Sequence, residues 1–258
     1  MKPATQSGCA WFPQLVLCAV SSVLGKPLEA QNPGTDGTDA ARGGLPPTQT
    51  ESLLYQDGFE GDLSQWVVEQ RPIGATRIRD GKLDILAPKG CTVWFKSKLK
   101  GSVAIEYTAT MVDQGGPHDR VSDLNCFWMA IDPEHPDDLF AGKARNGDFG
   151  NYHSMRLYYV GYGANGNTTT RFRRYPGDGT RPMLPEHDLR DEEFMHTPNR
   201  PIHIRIVSDG SKVQFWRDGA MVYDFDDPEP LTEGWFGFRT VRSHIRIDDF
   251  RVYRPVAE

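Results

Sequence analysis

Beyond residue 50, apolar and polar positions alternate with a period of two along most of the chain. Val103, Ile105, Tyr107, Ala109 and Met111 alternate with Ala104, Glu106, Thr108 and Thr110, the pattern of a strand with one buried face. Ile202, Ile204 and Ile206 alternate with His203, Arg205 and Val207. The turn Ser208-Asp209-Gly210-Ser211, the return run through Val213 and Phe215, and a second turn at Asp218-Gly219 follow, which predicts two hairpins in series. The runs Gly234 to Arg239 and Ile245 to Tyr253 supply the last strands. No stretch of ten or more residues holds a 3.6-residue apolar stripe free of Gly or Pro. The expected fold is therefore all-β, a two-sheet antiparallel β-sandwich (jelly roll), because a sheet with one apolar face needs a second sheet to cover it. Two stretches break the alternation. Residues 132–151 are rich in Pro, Asp and Gly with one Lys, and residues 176–200 carry four prolines among many charges. Both read as long loops over a rigid frame, where sites tend to be built.

The first fifty residues have a different character. Lys2, an apolar stretch from Leu15 to Leu24 and Ala30 before a polar tract have the order of a secretory signal, and the apolar stretch is too short to span a bilayer. Residues 1–30 are thus expected to be a signal peptide, 31–50 a disordered Gly/Thr/Asp/Pro linker, and 51–258 the folded domain, with a secreted location, extracellular or periplasmic. The formal net charge is −6. Such a balance argues against general nucleic-acid binding, which needs a basic surface. Cys91 and Cys126 are the two cysteines of the folded part; a disulfide and two buried thiols are both compatible with their apolar surroundings.

The opening Asp57-Gly58-Phe59-Glu60-Gly61-Asp62-Leu63-Ser64-Gln65-Trp66 and the closing Val213 to Gly219, Gly234 to Phe238 and Ile247 to Phe250 resemble the concanavalin A-like lectin/glucanase superfamily over about Leu53 to Arg254. The likeness is greatest to its uncharacterised secreted domains associated with polysaccharide degradation. It implies the jelly roll and a saccharide partner. The superfamily's endoglucanase pattern, paired glutamates flanking an aspartate on one strand, is absent. The resemblance also implies a structural calcium between first and last strands, for which Asp57, Glu60 and Asp249 are the oxygen donors at suitable places; no other cofactor is expected.

Residues 151–175 contain no Asp or Glu in an otherwise acidic chain, and Ala164-Asn165-Gly166-Asn167 divides them into two strands. With Met155, Leu157 and Tyr159 turned to the core, Arg156, Tyr158, Val160 and Tyr162 would share the open face, and Arg171 and Arg173 would share a face of the second strand. Guanidinium forks beside aromatic rings suit an acidic sugar, uronate-containing or sulfated. The expected activity is cleavage of such a polysaccharide by β-elimination, which needs a base for the proton beside the carboxylate, an acid for the leaving oxygen, and neutralisation of the carboxylate. His153 with Tyr158 or Tyr159 could supply base and acid; Arg156 with Asn125 or Asn167 could hold the carboxylate. Arg171, Arg173, Tyr162, Asn167, Trp128, Asp123 and His187 complete the expected substrate contacts. His153 lies in phase with Met155, so it would reach the open face only if the strand starts after it.

Two alternatives stand beside the lyase. A glycoside hydrolase needs a carboxyl pair, for which Glu106, Asp123, Glu186 and Asp188 are candidates. A non-catalytic binding module would use Trp94, Trp128, Trp216 and Tyr158 as stacking platforms. A monomer is expected.

Overall fold

The computed structural model describes residues 51–255; the expected signal peptide and linker lie outside them. The described chain forms fourteen strands: β1 (Glu51–Asp57), β2 (Trp66–Gln70), β3 (Ala75–Arg79), β4 (Lys82–Phe95), β5 (Leu99–Lys100), β6 (Val103–Met111), β7 (Leu124–Ile131), β8 (Arg156–Gly163), β9 (Thr169–Pro176), β10 (Asp188–Leu189), β11 (Pro201–Ser208), β12 (Lys212–Arg217), β13 (Ala220–Asp226) and β14 (Glu233–Pro255). The strands pair antiparallel throughout. Hydrogen bonding links them into one curled sheet folded into two layers, the expected sandwich.

Two long strands make the fold. The first part of β14 lies between β7 and the second part of β4, while its remainder lies against β6, β1 and the first part of β4. The register slips between Val241 and Ser243, where Arg242 has φ +50°. An extra residue at such a bulge bends the strand and re-aims it, and here it carries β14 from one layer to the other. One layer thus runs β10-β9-β8-β7-β14-β4-β2. The other runs β13-β12-β11-β6-β14, with β1, β3 and the start of β4 alongside.

The alternation read from sequence packs the space between the layers. Trp66, Phe95, Phe238 and Phe250 form its centre, with Trp66 stacked on Phe238 at 5.4 Å and edge-on to Phe250 at 5.0 Å. Each such side chain contributes about 1.5–3 kcal/mol by leaving water. Asp57 fixes the Trp66 indole by accepting from Nε1 at 2.8 Å. Cys91 and Cys126 lie in this core as free thiols, and burial pushes them up to about 11 and about 12.

A second buried cluster covers the outer side of the β7–β8–β9 layer. Trp94, Phe127, Leu157, Tyr159, Tyr175 and Trp235 face Leu139, Tyr152, Phe140 and Phe149 of the 132–155 loop. This loop is therefore a packed insertion, and it makes both faces of the layer apolar. The expected face assignment of β8 fails for that reason: Tyr158, Val160 and Tyr162 point into the sandwich core, and Met155, Leu157 and Tyr159 point to the covered outer side. No helix among the described residues is long and apolar enough to cross a membrane.

Candidate functional site

Strand register places one continuous row of residues across the outer face of this layer. Asp188 pairs with Arg171, Arg171 with Gly161, Gly161 with Asn125, Asn125 with Arg239, Arg239 with Thr92 and Thr92 with Glu69. A parallel row two residues along reads Arg173, Tyr159, Phe127, Gly237, Trp94 and Val67. Because side chains alternate strictly across a sheet, both rows share one face. The first is polar and the second mostly aromatic.

Arg239 is the centre of the polar row. It is 2% exposed, and its Nη1 donates to Thr92 Oγ1 at 2.9 Å and to the Gly147 carbonyl at 3.2 Å. The guanidinium lies over the rings of Phe149 (4.7 Å) and Tyr152 (5.0 Å). Among the described residues no carboxylate pairs with it. Buried charges are ordinarily paired because desolvation is costly; Arg239 is held instead by two hydrogen bonds and two aromatic faces.

Unsatisfied polar atoms gather around it. Asn125, also 2% exposed, gives its Nδ2 to Asp123 at 3.3 Å, while its Oδ1 is buried without a partner. Tyr175 Oη and His153 Nε2 are likewise buried and unpaired. Phe149 joins these groups: its ring lies 5.1 Å from His153, 5.6 Å from Tyr159 and 5.5 Å from the Arg181 guanidinium. The His153 and Tyr175 rings are 6.5 Å apart. Most buried polar atoms in folded proteins find a partner, so three orphans this close together set the region apart, although Glu51 Oε2 and His135 Nδ1 are also unpaired.

The same environment sets the protonation states. Burial lowers the His153 pKa, and the Arg181 and Arg239 charges lower it further, against a smaller opposing effect of Asp148. The imidazole is neutral at pH 7. Burial raises the Tyr175 phenol, opposed by Arg181 and Arg173, and it holds Tyr159 protonated. Asp123 is raised by burial against hydrogen bonds from Ser122 and Asn125.

Of the residues expected from sequence, His153, Asn125, Asp123, Arg171 and Arg173 come together here. His153 reaches the site because the chain makes a 3-10 turn at Phe149–Tyr152 and β8 starts only at Arg156. Tyr158 does not: its hydroxyl donates to Asp227 at 2.6 Å and accepts from the Leu231 N–H at 2.9 Å inside the core. Tyr162 accepts from Arg217 at 2.7 Å, and Trp128 donates to Ser208 at 3.0 Å, both also in the core. Arg156 is exposed at the start of β8, in phase with Tyr158. Asn167 ties down the loop at His196 through the latter's backbone N–H and carbonyl. His187 is packed edge-on against Phe172, 4.9 Å away.

The alternative candidates are also accounted for. Glu106 pairs with Arg205, and Glu186 is exposed. Asp188 takes two hydrogen bonds from Arg171 at 2.7 and 3.3 Å and one from Arg190, which hold its carboxyl at about 2. Trp94 is fully buried, and Trp216 lies on β12 in the opposite layer. Asp57 is engaged by Trp66 and by the Phe59 N–H, Glu60 is exposed, and Asp249 accepts from Arg251 at 3.1 Å. Among the described residues, three ligating side chains converge only at Asp132, Glu134 and His135, with the Arg145 guanidinium 3.6 Å from Asp132.

Arg239, Tyr175, Phe149 and Arg181 were not singled out from sequence. A signal for Arg239 exists: it is the one charged position in the run Trp235 to Arg239, two residues from Gly237 and in the phase opposite to Phe236 and Phe238.

A family model described as a domain of unknown function, DUF6250, matches residues 85–250. The chain belongs to that family. No curated protein matches it. Among solved structures it is similar to a Bacillus subtilis protein of unknown function with a galectin-like fold, at 18% identity and TM-score 0.63, covering 80% of this chain and 98% of that one. It is also similar to an endo-β-1,3-glucanase from Pyrococcus furiosus (13% identity, TM-score 0.51, 81% and 96% covered). The carbohydrate-binding module CBM66 of Bacillus subtilis follows at 12% identity and TM-score 0.50, with 73% and 94% covered. These likenesses show the fold, a galectin-like β-sandwich.

Proposed function

We propose that this domain binds an acidic, uronate-containing polysaccharide on the outer face of the β7–β8–β9 layer and cleaves it by β-elimination, as a secreted protein. The carrying observation is the buried, carboxylate-free Arg239 beside the orphaned Asn125 Oδ1. A guanidinium in a dry site holds a carboxylate strongly, and withdrawing its charge makes the proton on the adjacent carbon removable.

The remaining steps use groups already in suitable states. His153, neutral and with Nε2 free, takes the proton from C5 of the uronate. The electron pair left on C5 is delocalised into the carboxylate that Arg239 and Asn125 hold. It then forms the C4–C5 double bond as the C4–O4 bond breaks, and the Tyr175 phenol gives its proton to O4. One product carries a new hydroxyl and the other an unsaturated uronate; no further reactant is needed.

The carboxyl groups on this face argue for the lyase over the hydrolase. Glu69 is held by Arg145 and Tyr152, and Asp188 by Arg171 and Arg190. Asp123 then has no second carboxyl for the paired mechanism. The structural similarity to a glucanase and a carbohydrate-binding module supports a saccharide partner in general. The test is incubation with a panel of uronate-containing, sulfated and neutral glycans, following ultraviolet absorbance of unsaturated ends and release of reducing sugar. Unsaturated products from uronans are expected. Reducing ends without unsaturation would replace the lyase by a hydrolase, and binding without turnover would leave a module.

A further inference from the structure

A cavity of about 260 Å³ opens where β9, near the edge of one layer, approaches β13, at the edge of the other. Phe172 of β9 and Phe225 of β13 have their rings 5.4 Å apart at its base, and Pro182, Met183 and Leu184 of the loop before β10 cover it. None of Arg239, Asn125, His153 and Tyr175 lines it, so it is separate from the site of the proposed activity. The cover is fixed in place. The Arg181 carbonyl accepts from Arg173, the His187 N–H donates to the Leu184 carbonyl at 3.0 Å, and Asp188 and Leu189 pair with Arg171 and Thr170. Pro176, Pro182 and Pro185 restrict the backbone between these anchors.

One buried polar side chain lies in this apolar lining. His187 is 7% exposed, and its ring stands edge-on to Phe172, Tyr223 and Phe225 at 4.9, 5.7 and 5.6 Å. Its ring nitrogens have no hydrogen-bond partner among the described residues. Burial lowers its pKa against the opposing charge of Glu186, so at pH 7 the imidazole is neutral, with one N–H and one lone pair to offer. Arg173 adds a charge at the rim. Its guanidinium donates to the Arg181 carbonyl, beside the cavity-lining Pro182, and no carboxylate pairs with it among the described residues. The neighbouring Arg174 is already met by Asp227 at 2.7 Å.

We infer that this cavity binds a small phenolic acid, with the aromatic ring between Phe172, Phe225 and Met183, the hydroxyl at His187 and the carboxylate outward at Arg173. Size and lining select that class. An apolar cavity of about 150 Å³ takes one benzene ring, so this one has room for a ring with its substituents. A pyranose carries several hydroxyls, and a lining with a single imidazole would leave most of them unpaired. An aromatic ring with one hydroxyl loses nothing there. The guanidinium at the rim supplies a charge-assisted bond to the carboxylate.

The experiment is a calorimetric titration of the full chain with para-hydroxycinnamate, with cinnamate, which lacks the hydroxyl, with the neutral para-hydroxycinnamamide, and with galacturonate. Saturable binding of para-hydroxycinnamate is expected, with cinnamate roughly 3- to 10-fold weaker for the loss of one hydrogen bond, the amide weaker again, and no displacement by galacturonate. His187→Phe keeps an aromatic ring and should abolish the preference for the hydroxylated acid. Leu184→Asp, at a rim residue that is 45% exposed, should weaken both acids and spare the amide. The comparison of ligands on the wild-type chain and the Leu184→Asp variant carry the test should His187→Phe fail to fold. No saturable binding, equal affinity for the two acids, a hydroxyl preference that survives His187→Phe, unchanged acid binding in Leu184→Asp, or displacement by galacturonate would each overturn the inference.

Discussion

Tyr158 and Tyr159 are neighbours in sequence on opposite faces of one strand, and their surroundings differ in kind. On the core face every polar group near Tyr158 is used: its hydroxyl joins Asp227 to the Leu231 N–H, and Arg174 donates to the same carboxylate at 2.7 Å. On the outer face Tyr159 lies among Asn125, Tyr175, His153 and Arg239, where acceptors, hydroxyls and a cation lack counterparts. Hydrogen-bond satisfaction distinguishes the two faces where residue type does not, and an unpaired buried polar group costs stability.

That contrast can be broken by two single-atom deletions. Tyr175→Phe removes an orphan hydroxyl; turnover is expected to fall about 10²- to 10⁴-fold with stability unchanged or slightly raised. Tyr158→Phe leaves the Leu231 N–H unpaired and removes one of the hydrogen bonds to Asp227, which keeps Arg174. It is expected to cost about 1–3 kcal/mol of unfolding free energy and to leave turnover per folded molecule unchanged. Urea titration and initial rates measure both; equal effects of the two variants would erase the distinction between the faces.

The histidines sharpen it next. His244 is the paired counterpart of His153: Nδ1 contacts Asp119 at 2.8 Å and Nε2 contacts Asp84 at 3.1 Å. Burial would lower its pKa, but the two carboxylates outweigh burial and raise it. A raised folded value means its stabilisation is complete below the ordinary value near 6.5 and is lost as pH rises through the folded value. Asp84 and Asp119, which these contacts hold low against burial, lose theirs as pH falls through their own lowered values. Thermal melts against pH should show His244→Gln removing the loss on the alkaline side. His153 should appear in the rate instead. Its lowered pKa places the acid limb of turnover below about 6.5, and Arg181→Ala, which removes a neighbouring positive charge, should move that limb upward. The smallest effect is expected from Arg171→Gln, since the Asp188 pair is partly exposed and Arg190 remains; unfolding free energy should change by less than about 1 kcal/mol.

The sandwich was legible because period-two alternation specifies strands and one buried face specifies a covering sheet. The face assignment of β8 was not. Met155, Leu157 and Tyr159 look like a core stripe, and they are buried, but by Phe149, Tyr152 and Leu139 of a loop whose packing has no local signature. Once both faces are apolar, alternation no longer says which is which. The acid-free stretch places Arg171, Arg173 and His153 on the outer side, where β7 adds Asn125. Arg239 and Tyr175 escaped because their significance lies in what they lack, a counter-ion and a hydrogen bond, and a sequence does not show that.

The proposed function turns on the buried Arg239 guanidinium receiving a sugar carboxylate. Its most direct test is calorimetric titration of the wild-type chain and of Arg239→Gln with a uronate oligosaccharide and with its neutral, carboxyl-reduced counterpart. The account predicts that wild type prefers the acidic ligand and that the substitution removes this preference, a loss of about 30-fold or more, corresponding to the roughly 2 kcal/mol or more that removal of one member of a buried charge pair costs. Equal affinity of wild type for both ligands, or an unchanged preference in Arg239→Gln, would contradict it.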